Sequence, residues 1–302
     1  MQEILTILEK QQVGKVSLHE PLSKHTTIKI GGPADLFIEP YSVEGLKHTL
    51  DVLHEHGVTY RVIGRGSNLL IPDEGIRGAV IKLGTNFDEL HELEGNRIRV
   101  AAGYPIIKLA TVLSRKGLRG LTFAGGIPGS VGGAVYMNAG AHGADISQIL
   151  TKARVLTIDG QLKWLTKDEM KFSYRTSVLQ TEKPGICVEA EFQLEPENKE
   201  VLMSEMKNYK DYRRETQPWR DPCAGSIFRN PLPTYAGKLV EEAGLKGYQI
   251  GGAKISELHG NFIVNTRDAS YEDVLALIFH IQKTIAERYR VDLHTEVEIV
   301  GT

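Results

Sequence analysis

The chain reads GGIPGSVGGAVYMNAGA from Gly125 to Ala141, and six of these seventeen residues are glycine. Glycine loses more backbone entropy on folding than any other residue, so an ordinary core element seldom contains so many. Successive backbone N–H groups in such a segment form a concave site for anions. A second glycine loop, Gly64-Arg65-Gly66-Ser67-Asn68, follows the apolar run 60–63. Two such loops in one chain indicate a large phosphate-bearing ligand that is held partly by main chain.

Neither glycine loop fits the two best-known phosphate-binding motifs. Gly64 and Gly66 supply the first two glycines of the Rossmann dinucleotide fingerprint, but Leu69 stands at the third position. Residues 69–72 are short, apolar and stopped by proline, so they predict a strand rather than the helix that the fingerprint needs. Neither loop ends in the Gly-Lys-Ser/Thr of a P-loop. A tight turn in each place remains the alternative interpretation.

Length, charge and cysteine content bound the class of protein. The 302 residues are enough for two or three compact units. Lysine and arginine number 36 against 38 for aspartate and glutamate, and this balance argues against a broad surface for nucleic acid or membrane. We expect no signal peptide and no membrane insertion, because no apolar run reaches the length of a span. Cys187 and Cys223 form no metal-binding pattern, which predicts a cytoplasmic protein without a metal.

Hydrophobic periodicity predicts helices mixed with strands over the first two thirds of the chain. Helices are expected from Ile4, after a Ser42 cap, and after Pro105 with a stop at Gly117. Residues 195–200 are polar and interrupted by proline, which predicts a surface connection. Strands are expected at 28–32 (running into a turn), 62–63, 69–72, 79–81, 97–101, 154–158 and 162–164.

The last third of the chain predicts one long helix and one long strand. Ser270 and Asp273 have the spacing of a helix cap, and a stripe of apolar residues at helical spacing runs from Val274 to Ile285. Residues 291–299 alternate strictly between apolar and polar. They therefore predict a strand with one apolar face, and His294, Glu296 and Glu298 lie on the other face.

Three polar positions are candidates for chemistry, and each has an ordinary structural explanation. Arg175, in Ser-Tyr-Arg, can bind a carboxylate through two parallel N–H bonds, although most arginines are solvated or paired at the surface. Ser226, in Gly-Ser-Ile-Phe-Arg-Asn-Pro, either presents a hydroxyl or caps a helix. Glu296 lies on the polar face of the last predicted strand, where a solvated face is the default explanation. His294 and Glu296 are too few for a metal site.

Taken together, these motifs resemble the UDP-N-acetylenolpyruvoylglucosamine reductase family, and the resemblance runs nearly end to end. It includes His25–Gly32, the two glycine segments, the motifs around Arg175 and Ser226, and the C-terminal His-Thr-Glu-Val-Glu. The first glycine loop alone is also similar to flavin oxidases of the vanillyl-alcohol-oxidase-like fold. The spacing after Arg175 resembles the shorter variant of the reductase family. The resemblance assigns FAD binding to Gly64, Arg65, Gly66, Ser67, Asn68, Gly126, Ile127, Pro128, Gly129, Ser130, Gly132 and Gly133.

The resemblance implies an α+β fold with two FAD-binding subdomains, 1–84 and 85–197, and a substrate-binding domain, 198–302. It implies non-covalent FAD and NADPH-dependent reduction of the enolpyruvyl ether of UDP-N-acetylglucosamine. Arg175 and Glu296 would then stabilise an enolate-like intermediate, and Ser226 would donate a proton to it. Whether Glu296 acts as a neutral donor or relays a proton stays open. Arg229 and Asn230 are assigned to the nucleotide-sugar, and a monomer is expected.

Three other classes of protein remain as alternatives. A flavin oxidase of the same fold often holds FAD covalently, and His142 is the candidate attachment point. A nucleotide-binding module without activity and a purely structural protein are the other two. Flavin absorption in the purified protein separates the flavoprotein classes from the rest, and NADPH consumption with the enolpyruvyl substrate separates the reductase from a binding module.

Overall fold

The computed structural model describes residues 1–182 and 184–301. Contacts divide the chain into two compact units, each built from separated stretches. Unit 1 contains Met1–Leu18, Leu36–Arg65 and Gly78–Asp211. Unit 2 contains His19–Asp35, Gly66–Arg77 and the chain from Tyr212 onward. The division into three domains with boundaries after residues 84 and 197 stays a prediction.

Helices and strands are numbered in chain order, and their mixture confirms the predicted α+β class. The α-helices are α1 (Gln2–Lys10), α2 (Val43–Glu55), α3 (Ile106–Arg115), α4 (Val131–Tyr136), α5 (Lys199–Thr216), α6 (Ala236–Glu242) and α7 (Tyr271–Tyr289). The strands are β1 (Gly14–Pro21), β2 (Pro33–Pro40), β3 (Tyr60–Ile63), β4 (Leu69–Leu70), β5 (Ile76–Lys82), β6 (Leu90–Leu93), β7 (Arg97–Ala101), β8 (Leu118–Arg119), β9 (Gly140–Ala141), β10 (Ala144–Asp145), β11 (Leu150–Thr157), β12 (Leu162–Thr166), β13 (Gly185–Gln193), β14 (Glu195–Pro196), β15 (Gln249–Ile250), β16 (Ala253–Ile255), β17 (Ile263–Asn265) and β18 (Glu298–Ile299).

A four-stranded sheet in the order β1-β2-β5-β3 carries the first glycine loop. Strands β3 and β5 are parallel, with Ile63 opposite Lys82. Ser42 Oγ accepts a hydrogen bond from Gly45 N at 3.1 Å and starts α2 as predicted. Because β3 ends at Ile63, Gly64 lies at the carboxyl end of a parallel strand, where ligands commonly bind in sheets of this kind. Unit 1 residues buried around α1, α2 and these strands include Leu8, Leu36, Ile38, Leu46, Leu53 and Ile81.

The second sheet of unit 1 is antiparallel, in the order β12-β11-β13-β7-β6. Helices α3 and α4 bury apolar side chains in the same core as this sheet, together with Phe192 and Val100. A Cβ at Gly132, in α4, would lie 2.8 Å from Cβ of Ala102. Only glycine therefore allows this short helix to lie so close to the residue that follows β7. That approach fixes the second glycine segment, which begins α4 at Ser130.

Unit 2 combines the three-stranded sheet β15-β16-β17 with helices α6 and α7. Ser270 and Asp273 form the predicted cap of α7, and each side chain accepts a hydrogen bond from the other residue's backbone. A short parallel pair joins β4 to β18. The core of unit 2 includes Ile28, Ile30, Leu70, Ile227, Phe228, Val240, Ile263, Val274 and Ile281.

Three sequence predictions were wrong in part or in full. Residues 28–32 form no strand, because the backbone turns at Lys29 (φ 59°) and Thr26 Oγ1 bonds to Ile30 O at 2.8 Å. Residues 195–200 are exposed as predicted, but Glu195–Pro196 pairs with β8 and α5 begins at Lys199. The long C-terminal strand is reduced to β18 and one isolated bridge. Its apolar face was predicted correctly, with Leu293 and Val297 buried.

Candidate functional site

The two glycine segments meet inside unit 1. A Cβ at Gly64 would lie 2.5 Å from Oγ of Ser130, so the loop after β3 passes directly against the start of α4. The second segment is itself held by main chain, since Ile106 N donates to Gly129 O at 3.1 Å and Val131 N donates to Tyr104 O at 2.9 Å. The structure therefore brings together two stretches that the sequence had linked by their composition and by the family resemblance.

Both loops present backbone donors that the protein does not use. Within residues 1–182 and 184–301, the N–H groups of Gly64, Arg65, Gly129 and Ser130 donate to no protein acceptor. Ser130 is only 3% exposed, and a buried N–H without a partner is costly. Adjacent loops with unused N–H groups, and with no room for a Cβ at Gly64, suit a ligand phosphate held by main chain. These residues therefore fit the pyrophosphate of a dinucleotide.

The remainder of the first glycine loop belongs to unit 2. Gly66 has φ +62°, and a Cβ there would lie 2.0 Å from His25 O, so this position requires glycine. Thr27 fixes the loop, because its N–H donates to Gly66 O at 3.1 Å and its Oγ1 donates to Cys223 O at 2.6 Å. Asn68 Nδ2 donates to Glu296 O at 3.0 Å. The unit 2 part of this loop, Gly66 to Asn68, is thus bonded to the segments that carry Ser226 and Glu296.

Ser226 and Glu296 lie on paired backbone segments of unit 2. Glu296 N donates to Ile227 O at 2.7 Å, and Arg229 N donates to His294 O at 2.9 Å. No helix follows Ser226, which excludes the interpretation of this serine as a helix cap. The two side chains that the sequence singled out, 70 positions apart in the chain, therefore come from neighbouring backbone segments.

Arg175 lies in unit 1, at the end of the second glycine segment. Its Nη2 donates to Gly140 O at 2.8 Å, and its backbone is left-handed with φ 57°. Asn138, which is 2% exposed, donates through Nδ2 to Ser173 O at 3.0 Å, and Gln180 Nε2 lies 3.4 Å from Arg175 O. A bulky residue in a left-handed conformation persists only where its surroundings hold it, and such positions concentrate at functional sites.

The two predicted substrate residues differ in how the protein uses them. Nε of Arg229 is buried and has no hydrogen-bond partner in the described part of the chain, and the same holds for Nε of Arg99. Asn230 Oδ1 accepts from Ala236 N at 3.1 Å, which gives this side chain a structural bond at the start of α6. His142, considered as a flavin attachment point, stacks on Tyr209 with ring centroids 3.9 Å apart.

Sequence reasoning missed Thr27, Asn138 and Asn261. All three are polar residues whose side chains bond to backbone far along the chain, at Cys223, Ser173 and Phe228 respectively. No spacing rule could have found them. Among the described residues, no group of three or more His, Cys, Asp or Glu side chains could hold a metal ion. No described helix has the length and apolar character needed to cross a membrane.

Residues 34–166 match the FAD-binding domain, so the chain is a flavoprotein. Residues 217–300 match the C-terminal domain of UDP-N-acetylenolpyruvoylglucosamine reductase. Over 301 residues the chain is 62% identical to the enzyme of that name from Bacillus subtilis, covering 100% of this chain and 99% of the relative. The Bacillus licheniformis enzyme of that name is 60% identical with the same coverage. The chain belongs to the UDP-N-acetylenolpyruvoylglucosamine reductase family.

Solved structures agree with this assignment. The UDP-N-acetylenolpyruvylglucosamine reductase of Thermus caldophilus superposes with a TM-score of 0.80 at 36% identity, covering 95% of this chain and 98% of that one. Berberine bridge enzyme, at 14% identity and a TM-score of 0.51, shares the fold over 66% of this chain and 44% of its own. These matches confirm the predicted FAD-binding α+β fold.

The family defines the reaction. The protein is an oxidoreductase that carries out the UDP-N-acetylmuramate dehydrogenase reaction in peptidoglycan precursor synthesis, with FAD as cofactor and NADPH as co-substrate. Its other substrate is the enolpyruvyl ether of UDP-N-acetylglucosamine. The predicted activity and cofactor are confirmed.

Proposed function

We propose that the two glycine segments hold the FAD, through backbone rather than through charged side chains. The contact between Gly64 and Ser130 and the unused N–H groups of both loops support this proposal. Bound FAD supplies hydride chemistry that no side chain of the protein provides. The residues assigned to it are Gly64, Arg65, Gly66, Ser67, Asn68, Gly126, Ile127, Pro128, Gly129, Ser130, Gly132 and Gly133.

Arg175 and Glu296 act on the carboxylate of the enolpyruvyl group. Reduction of the vinyl group pushes negative charge onto that carboxylate and gives the substrate an enolate-like character. A guanidinium binds a carboxylate through two parallel N–H bonds, and donors fixed in advance at a developing charge usually supply the largest catalytic effect. Glu296 either donates a hydrogen bond as a neutral acid or relays a proton toward Ser226.

Ser226 delivers a proton to the enolate carbon that bears the carboxylate. A serine hydroxyl is a weak acid, so it needs a proton source nearby and a fixed position. The observation that carries this proposal is the hydrogen bond from Glu296 N to Ile227 O, at 2.7 Å, which joins the glutamate's segment to the residue after Ser226. Arg229 binds the nucleotide-sugar, and Asn230 contributes to the same subsite.

The test separates the two half-reactions in a stopped-flow instrument. We expect Ser226→Ala to be reduced by NADPH at nearly the normal rate and to be reoxidised by the enolpyruvyl substrate about 10² to 10⁴ times more slowly. Ser270→Ala is the matched control, because it removes a helix-capping hydroxyl from the same unit. The control should lose stability and keep its reoxidation rate. Normal reoxidation of Ser226→Ala would assign the proton to another group.

The protein acts in the cytoplasm as a monomer. Both cysteines are free thiols, which suits a reducing compartment. Unit 1 contains two buried cores and unit 2 contains one, all formed within one chain. Light scattering on the purified protein at several concentrations tests the monomer, and a mass of two chains would reject it.

A further inference from the structure

Asn261 is a buried polar residue between β16 and β17 for which the proposed chemistry has no use. It is 4% exposed. Its Nδ2 donates to Phe228 O at 2.8 Å, and its Oδ1 accepts from Phe228 N at 2.9 Å. Its own main-chain oxygen accepts from Ile227 N at 2.9 Å. One residue thus binds three backbone groups of two consecutive residues.

Those two residues directly follow Ser226. Ile227 O in turn accepts the hydrogen bond from Glu296 N at 2.7 Å. The N–H of Ile227 is held by Asn261 and its carbonyl by Glu296. The segment that fixes the Ser226 backbone is therefore held on one side by Asn261 and on the other by the glutamate's segment.

Asn261 is itself rigidly supported. Its N–H donates to His259 Nδ1 at 3.1 Å. A Cβ at Gly260 would lie 2.6 Å from Gly237 O, so this loop lies directly against α6. A carboxamide both donates and accepts in one plane, which lets it satisfy the N–H and the C=O of Phe228 together. A leucine can do neither, and an ionised aspartate can only accept.

We infer that Asn261 is a positioning residue for proton delivery, and that it acts through Ser226 without touching the substrate. This inference rests on the proposed role of Ser226. Proton transfer needs the hydroxyl within hydrogen-bond reach of the acceptor, and a displacement of about 1 Å can slow a reaction by about 10²-fold. Loss of the two amide bonds frees the backbone after Ser226 to make such a displacement.

The first test is Asn261→Leu, which keeps the number of side-chain heavy atoms and the branch at Cγ and lacks both amide bonds. We expect flavin reduction by NADPH to stay within about twofold of normal, and reoxidation by the enolpyruvyl substrate to slow by about 10²-fold. Asn265→Leu is the matched control, because Asn265 also lies in unit 2 and makes two bonds to backbone, to Ile28 O and from Ala269 N. The control should lose similar stability in urea and keep its reoxidation rate. Equal slowing in both variants would reduce Asn261 to a structural residue.

A double variant separates this inference from the function on which it rests. If Asn261 acts through Ser226, Asn261→Leu should cause no further slowing in a Ser226→Ala background. If the double variant is instead slowed by the product of the two single effects on reoxidation, Asn261 acts elsewhere and the inference is overturned, while Ser226 keeps its role. Normal reoxidation of Ser226→Ala alone would overturn both.

Asn261→Asp keeps the test decisive if the leucine variant does not fold. A protonated aspartic acid retains the donor to Phe228 O and the acceptor for Phe228 N, whereas the ionised form loses the donor. Relative to the unaltered protein, we expect reoxidation of Asn261→Asp to be near normal at low pH and to fall as the pH rises. Asn265→Asp should show no such trend. If the ratio of the Asn261→Asp reoxidation rate to that of the unaltered protein does not change with pH, the inference is contradicted.

Discussion

Gly64→Ala tests the contact between the two glycine loops. The new Cβ would lie 2.5 Å from Ser130 Oγ, whereas ordinary contact begins at 3.4 Å, so either the loops separate by about 0.9 Å or the hydroxyl rotates away and loses its bond from Gly133 N. Gly64 does not have a positive φ, so alanine adds no backbone strain of its own. Overpacking of this kind costs about 1–3 kcal/mol. Either change disturbs the start of α4 in the protein without FAD, and FAD binding must restore the original arrangement of the two loops.

The expected result is a rise in the FAD dissociation constant of about 5- to 150-fold, which is that energy converted at 1.4 kcal/mol per tenfold. Flavin fluorescence titration of the protein freed of cofactor measures it. Gly84→Ala is the control, because it follows the neighbouring strand β5 and its Cβ would meet only a flexible Glu39 carboxylate oxygen at 3.3 Å. This control should bind FAD normally.

A second substitution at the contact identifies its cause. Ser130→Ala removes the clashing Oγ and leaves a Cβ at 3.6 Å, an ordinary distance from the new methyl group. The double variant Gly64→Ala/Ser130→Ala should therefore bind FAD no more weakly than Ser130→Ala alone. If the double variant loses FAD affinity by the product of the two single effects, or if Gly64→Ala binds FAD normally, the contact between the loops does not determine FAD binding.

Three further predictions concern charge. Arg175→Lys should slow reoxidation by the enolpyruvyl substrate while leaving flavin reduction normal, because lysine keeps the charge but loses the two-pronged geometry; normal reoxidation would remove Arg175 from the mechanism. Glu296→Gln should be milder than Glu296→Asp in the same assay if the glutamate is a neutral donor, and at least as severe if it relays a proton. Burial, and secondarily the charge of Lys246, lowers the pKa of His259. His259 therefore binds its proton more tightly in the unfolded chain than in the folded protein. Its contribution to the free energy of unfolding is complete above about pH 6.5, and it is lost as the pH falls from there toward the lower pKa of the folded state. Urea unfolding between pH 8 and 5 should show this loss of stability, and His259→Gln should make the loss smaller. If the free energy of unfolding falls with pH equally in both proteins, His259 is not the group responsible.

Local sequence signals predicted α1, α2, α3 and α7 but not α4, α5 or α6. They succeed where a cap and a stripe lie within a few residues of one another. Ser42 and Ser270 cap α2 and α7 as their spacing indicated. Helix α5 was missed because only Leu202 and Met206 of its residues are buried, so it has almost no apolar stripe. Here the helix is mostly polar, and periodicity carries little information.

The same reasoning failed where hydrogen-bond partners are distant. Alternation in residues 291–299 correctly predicted the burial of Leu293 and Val297. It does not show whether a neighbouring strand forms regular hydrogen bonds with this segment. The partner is Ile227 and its neighbours, in a segment far back in the chain. Motifs identified Ser226 and Glu296, and only coordinates could show that Asn261 joins the first of them to the rest of unit 2.

The discontinuity of unit 2 governs how the protein can be made. Its core contains Ile28, Ile30 and Leu70, and β4 pairs with β18, which lies more than 200 residues later. During synthesis, the apolar side chains of 19–35 and 66–77 stay exposed until the C-terminal strand has left the ribosome. All segments of unit 1 have been synthesised by Asp211. A fragment limited to residues 217–300 lacks those core side chains and half of that strand pair. It should fold only when a separate N-terminal fragment supplies them, as in fragment complementation.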